Sequence, residues 1–262
     1  MNLLDHALQG ARHTSPPADR ASLLPLQRQT RLLVVGAGGT LGSAILAEAL
    51  VAGRFARVQA LVNGPLLSTL RGFEGLHESV LLGPDRLDAE SAVLVFERVR
   101  HSNGRDEAYV QPAPQDLLAV AQRLHACGVQ QLIVVLPHSP ALLPQALRHG
   151  LATLDEGAVA ALGFENLVFV RAAQFGTTAP GGPLLQRLAN AWLAQLKLMV
   201  PSAEQPLRAV VLARCVVQLA RQLPHAPAGT RVLAPETLAA AATDPLRLEA
   251  GLHRWLHGHP PP

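Results

Sequence analysis

Short, almost unbroken apolar runs alternate along this chain with stretches of helical spacing. The runs lie at residues 32–35, 58–62, 79–82, 92–96, 131–136 and 166–170. Strands that are apolar at nearly every position fit a parallel sheet covered on both faces, because a half-exposed strand would alternate polar and apolar side chains. Between the runs the period changes. After Gly42 comes an alanine-rich helical pattern, and residues 115–127 set Leu117, Leu118, Val120, Ala121 and Leu124 at helical spacing before Gly128 stops the helix. Residues 151–162 read as a further helix. Strand and helix in alternation predict an α/β fold: a doubly wound parallel sheet, Rossmann-like, with right-handed crossovers. Farther along, residues 184–199 and 206–223 read as helices, 230–233 as a short strand, and 235–242 and 245–257 as short helices. They form a small C-terminal helical annex from about residue 176, inside a single domain over residues 30–262. Residues 1–29 carry Pro16, Pro17 and Pro25 without sustained periodicity and read as an N-terminal extension.

The first apolar run leads directly into Gly36, Gly39 and Gly42 and then into the first helix. In a strand–turn–helix each glycine has a job. Gly36 lets the chain leave the strand sharply, Gly39 lets backbone approach a pyrophosphate, and Gly42 lets the helix pack closely. The amides at the helix start then face the anion. The turn predicts a dinucleotide cofactor held by Gly36, Gly38, Gly39, Thr40, Leu41 and Gly42. At the end of the second strand an acid would select NAD and an arginine NADP. The residue there is Asn63, so NADP and NAD both stay open. Asp85, in the loop after the expected third strand, is a candidate adenine contact, with a solvated loop aspartate as the alternative. Arg98, Arg100 and Arg105 follow the fourth strand at the ligand edge, either as a clamp for an anionic substrate or as a solvated loop.

Hydrophobic residues make up 49% of the chain and charged ones 16%, which excludes general disorder, and aromatics at 3% imply a core of Leu, Val and Ala. The formal charge of +3 is spread among acidic residues, so no stripe for nucleic acid is visible. No run has the length of a membrane span and the start lacks a signal-peptide pattern, so neither nucleic acid nor membrane is expected as a partner, and the cytoplasm is the expected location. Cys127 and Cys215 have no CxxC spacing and read as buried, reduced thiols. His253, His257 and His259 have no acidic or cysteine partner spaced with them, so no metal is expected.

The turn VGAGGTLG, the helix and strand HACGVQQLIVVLPHS, the strand NLVFVRAAQ and the helix LRAVVLARCVVQLARQL together resemble an extended or atypical short-chain dehydrogenase/reductase. Within that superfamily the chain is similar to the small proteins related to the human Tat-interacting protein, over about residues 31–240. The resemblance implies hydride transfer with NAD(P)H. It also implies a serine near the end of the fifth strand and a tyrosine four residues before a lysine, the lysine lowering the pKa of the tyrosine that acts as acid or base. Here the sequence departs from the family. Its one tyrosine is Tyr109 and its one lysine Lys197; Ala113 stands four residues after the first and Leu193 four before the second. The helix that should carry the pair has Arg148 or His149 near the tyrosine position and Ala152 near the lysine position. Ser139 matches the family serine and His138 precedes it, while His149 could serve as a substitute acid because histidine titrates near neutral pH. Three readings follow. The chain is a nucleotide-binding, sensing or assembly protein without the reductase pair, an NAD(P)H-dependent oxidoreductase or isomerase using His149, or a protein-binding scaffold with an empty cofactor pocket. The expected partners are a dinucleotide, a small molecule or a protein, and a second copy paired through outer helices, as is frequent in this superfamily.

Overall fold

The computed structural model describes residues 30–66, 70–83, 87–97, 106–138, 153–173, 209–235, 237–238 and 245–258. They contain seven parallel strands: β1 (Arg31–Val35), β2 (Arg57–Val62), β3 (Phe73–His77), β4 (Ser91–Val95), β5 (Gln131–His138), β6 (Asn166–Ala173) and β7 (Gly229–Leu233). Their spatial order is β3-β2-β1-β4-β5-β6-β7. Flanking them are α1 (Gly39–Ala52), α2 (Leu117–Ala126), α3 (Leu154–Ala160), α4 (Ala209–Gln222) and α5 (Pro245–Leu256). The chain winds outward from β1 to β3, then returns to the other side of β1 with β4. That reversal makes the β1/β4 boundary the switch point, and open α/β sheets bind ligands outside the carboxyl ends of strands there. The doubly wound parallel sheet expected from the sequence is the one observed.

Alternate residues of each central strand enter different cores. Leu32 and Val34 of β1, with Val93 and Val95 of β4, pack among residues of α1, α4 and α5. Leu33 and Val35, with Ala92 and Leu94, pack among residues of α2. Covered on both faces, these strands offer few places for a polar side chain away from their ends, which is why they read as nearly continuous apolar runs. Helix α4 lies against α1, and α5 against α4. The two cysteines sit in opposite cores, Cys215 in the first and Cys127 in the second, both as free thiols. Burial pushes the Cys215 thiol up to about 12 and raises that of Cys127 as well.

One expected strand is displaced. Residues 79–82 are not a strand, because Glu78–Leu82 forms a 3-10 turn and the strand is β3, just before it. Among the described residues β3 is an edge, paired with β2 in the register Val58↔Phe73 to Val62↔His77. With one flank unpaired and its side chains only partly buried, FEGLH carries none of the apolar continuity of the inner strands. Glu74 ties it to β2: Gln59 Nε2 and Arg57 Nη1 donate to Glu74 Oε2 at 2.9 and 3.0 Å. The Gln59 hydrogen bond, opposed by burial and aided by Arg57, holds the Glu74 carboxyl below its ordinary value.

Helix α3 is shorter than the pattern at residues 151–162 suggested. Thr153 Oγ1 accepts from the Glu156 amide at 3.1 Å and sets its start. From its first turn Glu156 reaches Arg171 near the end of β6; Arg171 Nη2 donates to Glu156 Oε2 at 3.0 Å, with the side chains 2% and 5% exposed. The helix expected at residues 184–199 lies outside the described residues. Among the described residues no group of His, Cys, Asp or Glu could hold a metal, and His253 stacks on His257 with ring centroids 4.2 Å apart. No helix among the described residues is long and apolar enough to cross a membrane.

Glu156→Gln removes the carboxylate that faces a buried guanidinium, and it should lower the unfolding free energy by about 3 kcal/mol in urea denaturation. Glu74 behaves differently, being partly exposed. Its lowered pKa contributes stability above the ordinary value of 4.5, and this is lost as pH falls through the folded-state value below it. The small stability difference between the wild-type chain and Glu74→Gln should therefore be present at pH 7 and shrink in acid, as read from pH-dependent melting curves.

Candidate functional site

β1 ends at Val35, and the chain turns through Gly36, Ala37 and Gly38 into α1. Gly36 at φ 85° and Gly39 at φ 77° adopt left-handed backbone that other residues reach only with strain. Space is as limiting as conformation. A Cβ on Gly36 would collide with the Val95 carbonyl at the end of β4, and one on Gly42 with the Gly36 carbonyl. The turn, the first turn of α1 and the end of β4 are therefore in direct backbone contact. A Cβ on Gly39 would stand 2.7 Å from Oε2 of Glu97.

Helix α1 has no cap of its own. Its N-cap is Gly38, which offers no side chain, and its first turn contains no acidic residue. The first amides of any helix need an acceptor from outside the helix. Glu97, two residues beyond the end of β4, brings one: the Leu41 amide donates to Glu97 Oε2 at 2.8 Å and the Gly42 amide to the same oxygen at 3.4 Å. A carboxylate at this end of a helix also meets the positive end of the macrodipole. Sequence reasoning missed Glu97, because it reads as the first residue of a polar loop. Its partnership exists only because β4 lies beside β1, in the register Val35↔Leu94. The signal available was indirect: a helix start with neither a capping side chain nor an acid in its first turn.

This turn can be tested against a dinucleotide. The cradle has the right form, since Gly39 leaves the approach open and the amides of Leu41 and Gly42 converge on one point. Its occupancy does not fit. The point on which they converge holds a carboxylate oxygen, and two anions cannot share one pair of donors. In this conformation the turn does not admit a phosphate at the Leu41 amide.

The neighbouring crevice is also engaged from within. Asn63 ends β2 as expected, yet its Nδ2 donates to the carbonyls of Glu107 at 2.7 Å and Tyr109 at 3.1 Å. Its backbone amide donates to Ala108 O at 2.9 Å, the Val110 amide donates to Leu61 O at 3.1 Å, and Val62 bridges Tyr109 in antiparallel sense. β3 already takes one flank of β2 through Val62↔His77, so residues 106–110 occupy the flank that β1 vacates on entering the glycine turn. Tyr109 is held there, packed on the core. It stands in line with β1, two strand positions from β5, about 10 Å at the usual strand spacing. His138 is the last residue of β5. Ser139, Arg148, His149, Ala152, Lys197, Asp85, Arg98, Arg100 and Arg105 lie outside the described residues.

No protein-family model and no curated protein matches the chain. Among solved structures it is similar to UDP-N-acetylglucosamine 4-epimerase from Bacillus cereus, at 17% identity over 78% of this chain and 78% of that chain, with TM-score 0.42. A Rossmann-fold NAD(P)-binding family protein from Shigella flexneri is similar at 12% identity over 78% of this chain and 92% of that one, with TM-score 0.45. NmrA, a negative transcriptional regulator, is similar at 15% identity over 82% and 71%, with TM-score 0.42. The strand order and register of the chain define its fold without them.

Removing the carboxylate from the start of α1 strips the helix of its cap. Glu97→Ala should lower the unfolding free energy of the ligand-free protein by about 1 kcal/mol, measured by denaturant titration.

Proposed function

We propose that the chain is an NAD(P)-binding protein of the atypical short-chain dehydrogenase/reductase type, related to the Tat-interacting-protein group, that works as a nucleotide-binding, sensing or assembly protein. The observation that carries this reading is the glycine turn at the switch point. Left-handed Gly36 and Gly39, and Gly42 closed against the Gly36 carbonyl, form a cradle for a pyrophosphate at the carboxyl edge of the sheet. Gly36, Gly38, Gly39, Thr40, Leu41 and Gly42 would hold it, with backbone amides as the donors. Asn63 offers neither the acid that selects NAD nor the arginine that selects NADP, which fits either cofactor.

Binding without reduction fits the chemistry of the chain. A bound NAD(P) would supply a redox-active nicotinamide, but the tyrosine and lysine that the superfamily sets four residues apart have no counterpart in this sequence, and the single Tyr109 is committed to the flank of β2. An oxidoreductase or isomerase would need another acid, for which His149 is the candidate, with Ser139 as the family serine. The hydrogen bonds of Glu97 and Asn63 favour one further reading, a protein-binding scaffold whose cofactor crevice is closed by its own residues.

A thermal-shift titration with NADPH, NADP, NADH and NAD separates these readings. Preferential binding to the folded state raises the melting temperature, so at least one of the four at millimolar concentration should produce a shift. No shift with any of them overturns the dinucleotide reading for the protein as it stands and leaves the scaffold.

A further inference from the structure

We propose that Glu97 is a built-in competitor for the pyrophosphate of the dinucleotide, so that ligand binding requires its carboxylate to leave the start of α1. This rests on reading the glycine turn as a dinucleotide site. Two features of its surroundings put the carboxylate oxygen on the phosphate position. One is the pair of donors, Leu41 at 2.8 Å and Gly42 at 3.4 Å, both pointing at the same oxygen. The other is the space beside Gly39, which in a dinucleotide-binding turn is left open for the phosphate and here is filled by Glu97 Oε2, 2.7 Å from where a Cβ would stand.

The contact is also one that can open. Glu97 lies beyond the paired part of β4, its side chain has three rotatable bonds, and the hydrogen bonds from Leu41 and Gly42 are only partly buried. The helix start takes an acceptor in either state. It is met by Glu97 when no ligand is present and by a phosphate oxygen when ligand is bound. The affinity of the protein for its ligand is therefore its intrinsic affinity reduced by the fraction of molecules in which Glu97 has vacated the turn.

The test uses the full chain. Calorimetric titrations with NADPH, NADP, NADH and NAD are run on the wild type, Glu97→Gln, Glu97→Ala and the control Glu48→Gln. Glu97→Gln keeps the side-chain volume and removes the charge. Glu48 lies on α1, facing Arg214 at 3.8 Å, and tests the loss of a negative charge elsewhere. Both Glu97 variants should bind one of the dinucleotides at least about tenfold more tightly than wild type, given that hydrogen bonds to charged groups are among the stronger ones a protein makes, and the control should match wild type. In melting curves Glu97→Ala should fall below wild type without ligand and reach or pass it at saturation. Equal or weaker binding by the Glu97 variants, an equal gain in Glu48→Gln, or no binding by any variant overturns the competitor role. The dinucleotide reading of the native protein fails separately, when wild type binds none of the four whatever the variants do.

Discussion

The amides at the start of α1 need an acceptor, and the first turn of α1 brings no side chain to supply it. Much of the ligand edge of this sheet is arranged around that requirement. Gly36 turns out of β1 against the Val95 carbonyl, Gly42 closes on Gly36, and the two contacts bring the first turn of α1 to the end of β4. Glu97 follows that end directly and caps the helix from a neighbouring strand. The capping is long-range: it ties the two halves of the sheet together at the switch point.

Such an arrangement sets stability against ligand binding at one place. A helix start satisfied by an internal carboxylate is stable without ligand, and the same satisfaction opposes any external anion. The neighbouring crevice shows the same economy. Asn63, where a cofactor-selecting residue would stand, spends its side-chain amide on the carbonyls of Glu107 and Tyr109, and the segment they belong to lies along β2 where β1 has departed. Both groups that the proposed dinucleotide site would use are thus already paired within the chain. Under that proposal a ligand binds there by exchange, with the energetics of competition rather than of filling an open pocket.

Much of the fold was legible because burial on both faces writes itself into sequence. β1, β2, β4, β5 and β6 are apolar almost throughout, since each central strand feeds two cores, and the glycine spacing located the first crossover. β3 escaped because an edge strand with one flank unpaired has no such obligation, and its anchoring by Glu74, Gln59 and Arg57 is polar. The apolar run that stood in for it, residues 79–82, is a turn. Of the candidate site, Gly36, Gly39 and Gly42 were readable from conformational and steric necessity alone. Glu97 was not, because nothing in the local sequence links a residue after one strand to a helix that follows another.

The sequence by itself therefore determined the parallel sheet, the position of its glycine turn and the lack of a tyrosine–lysine pair, since each depends on periodicity, on local backbone demands or on which residue types are present. Tertiary structure alone decided what occupies that turn. Placing β4 beside β1 brings a carboxylate fifty-six positions away in sequence onto the Leu41 amide, and only that juxtaposition supplies the helix start with its acceptor.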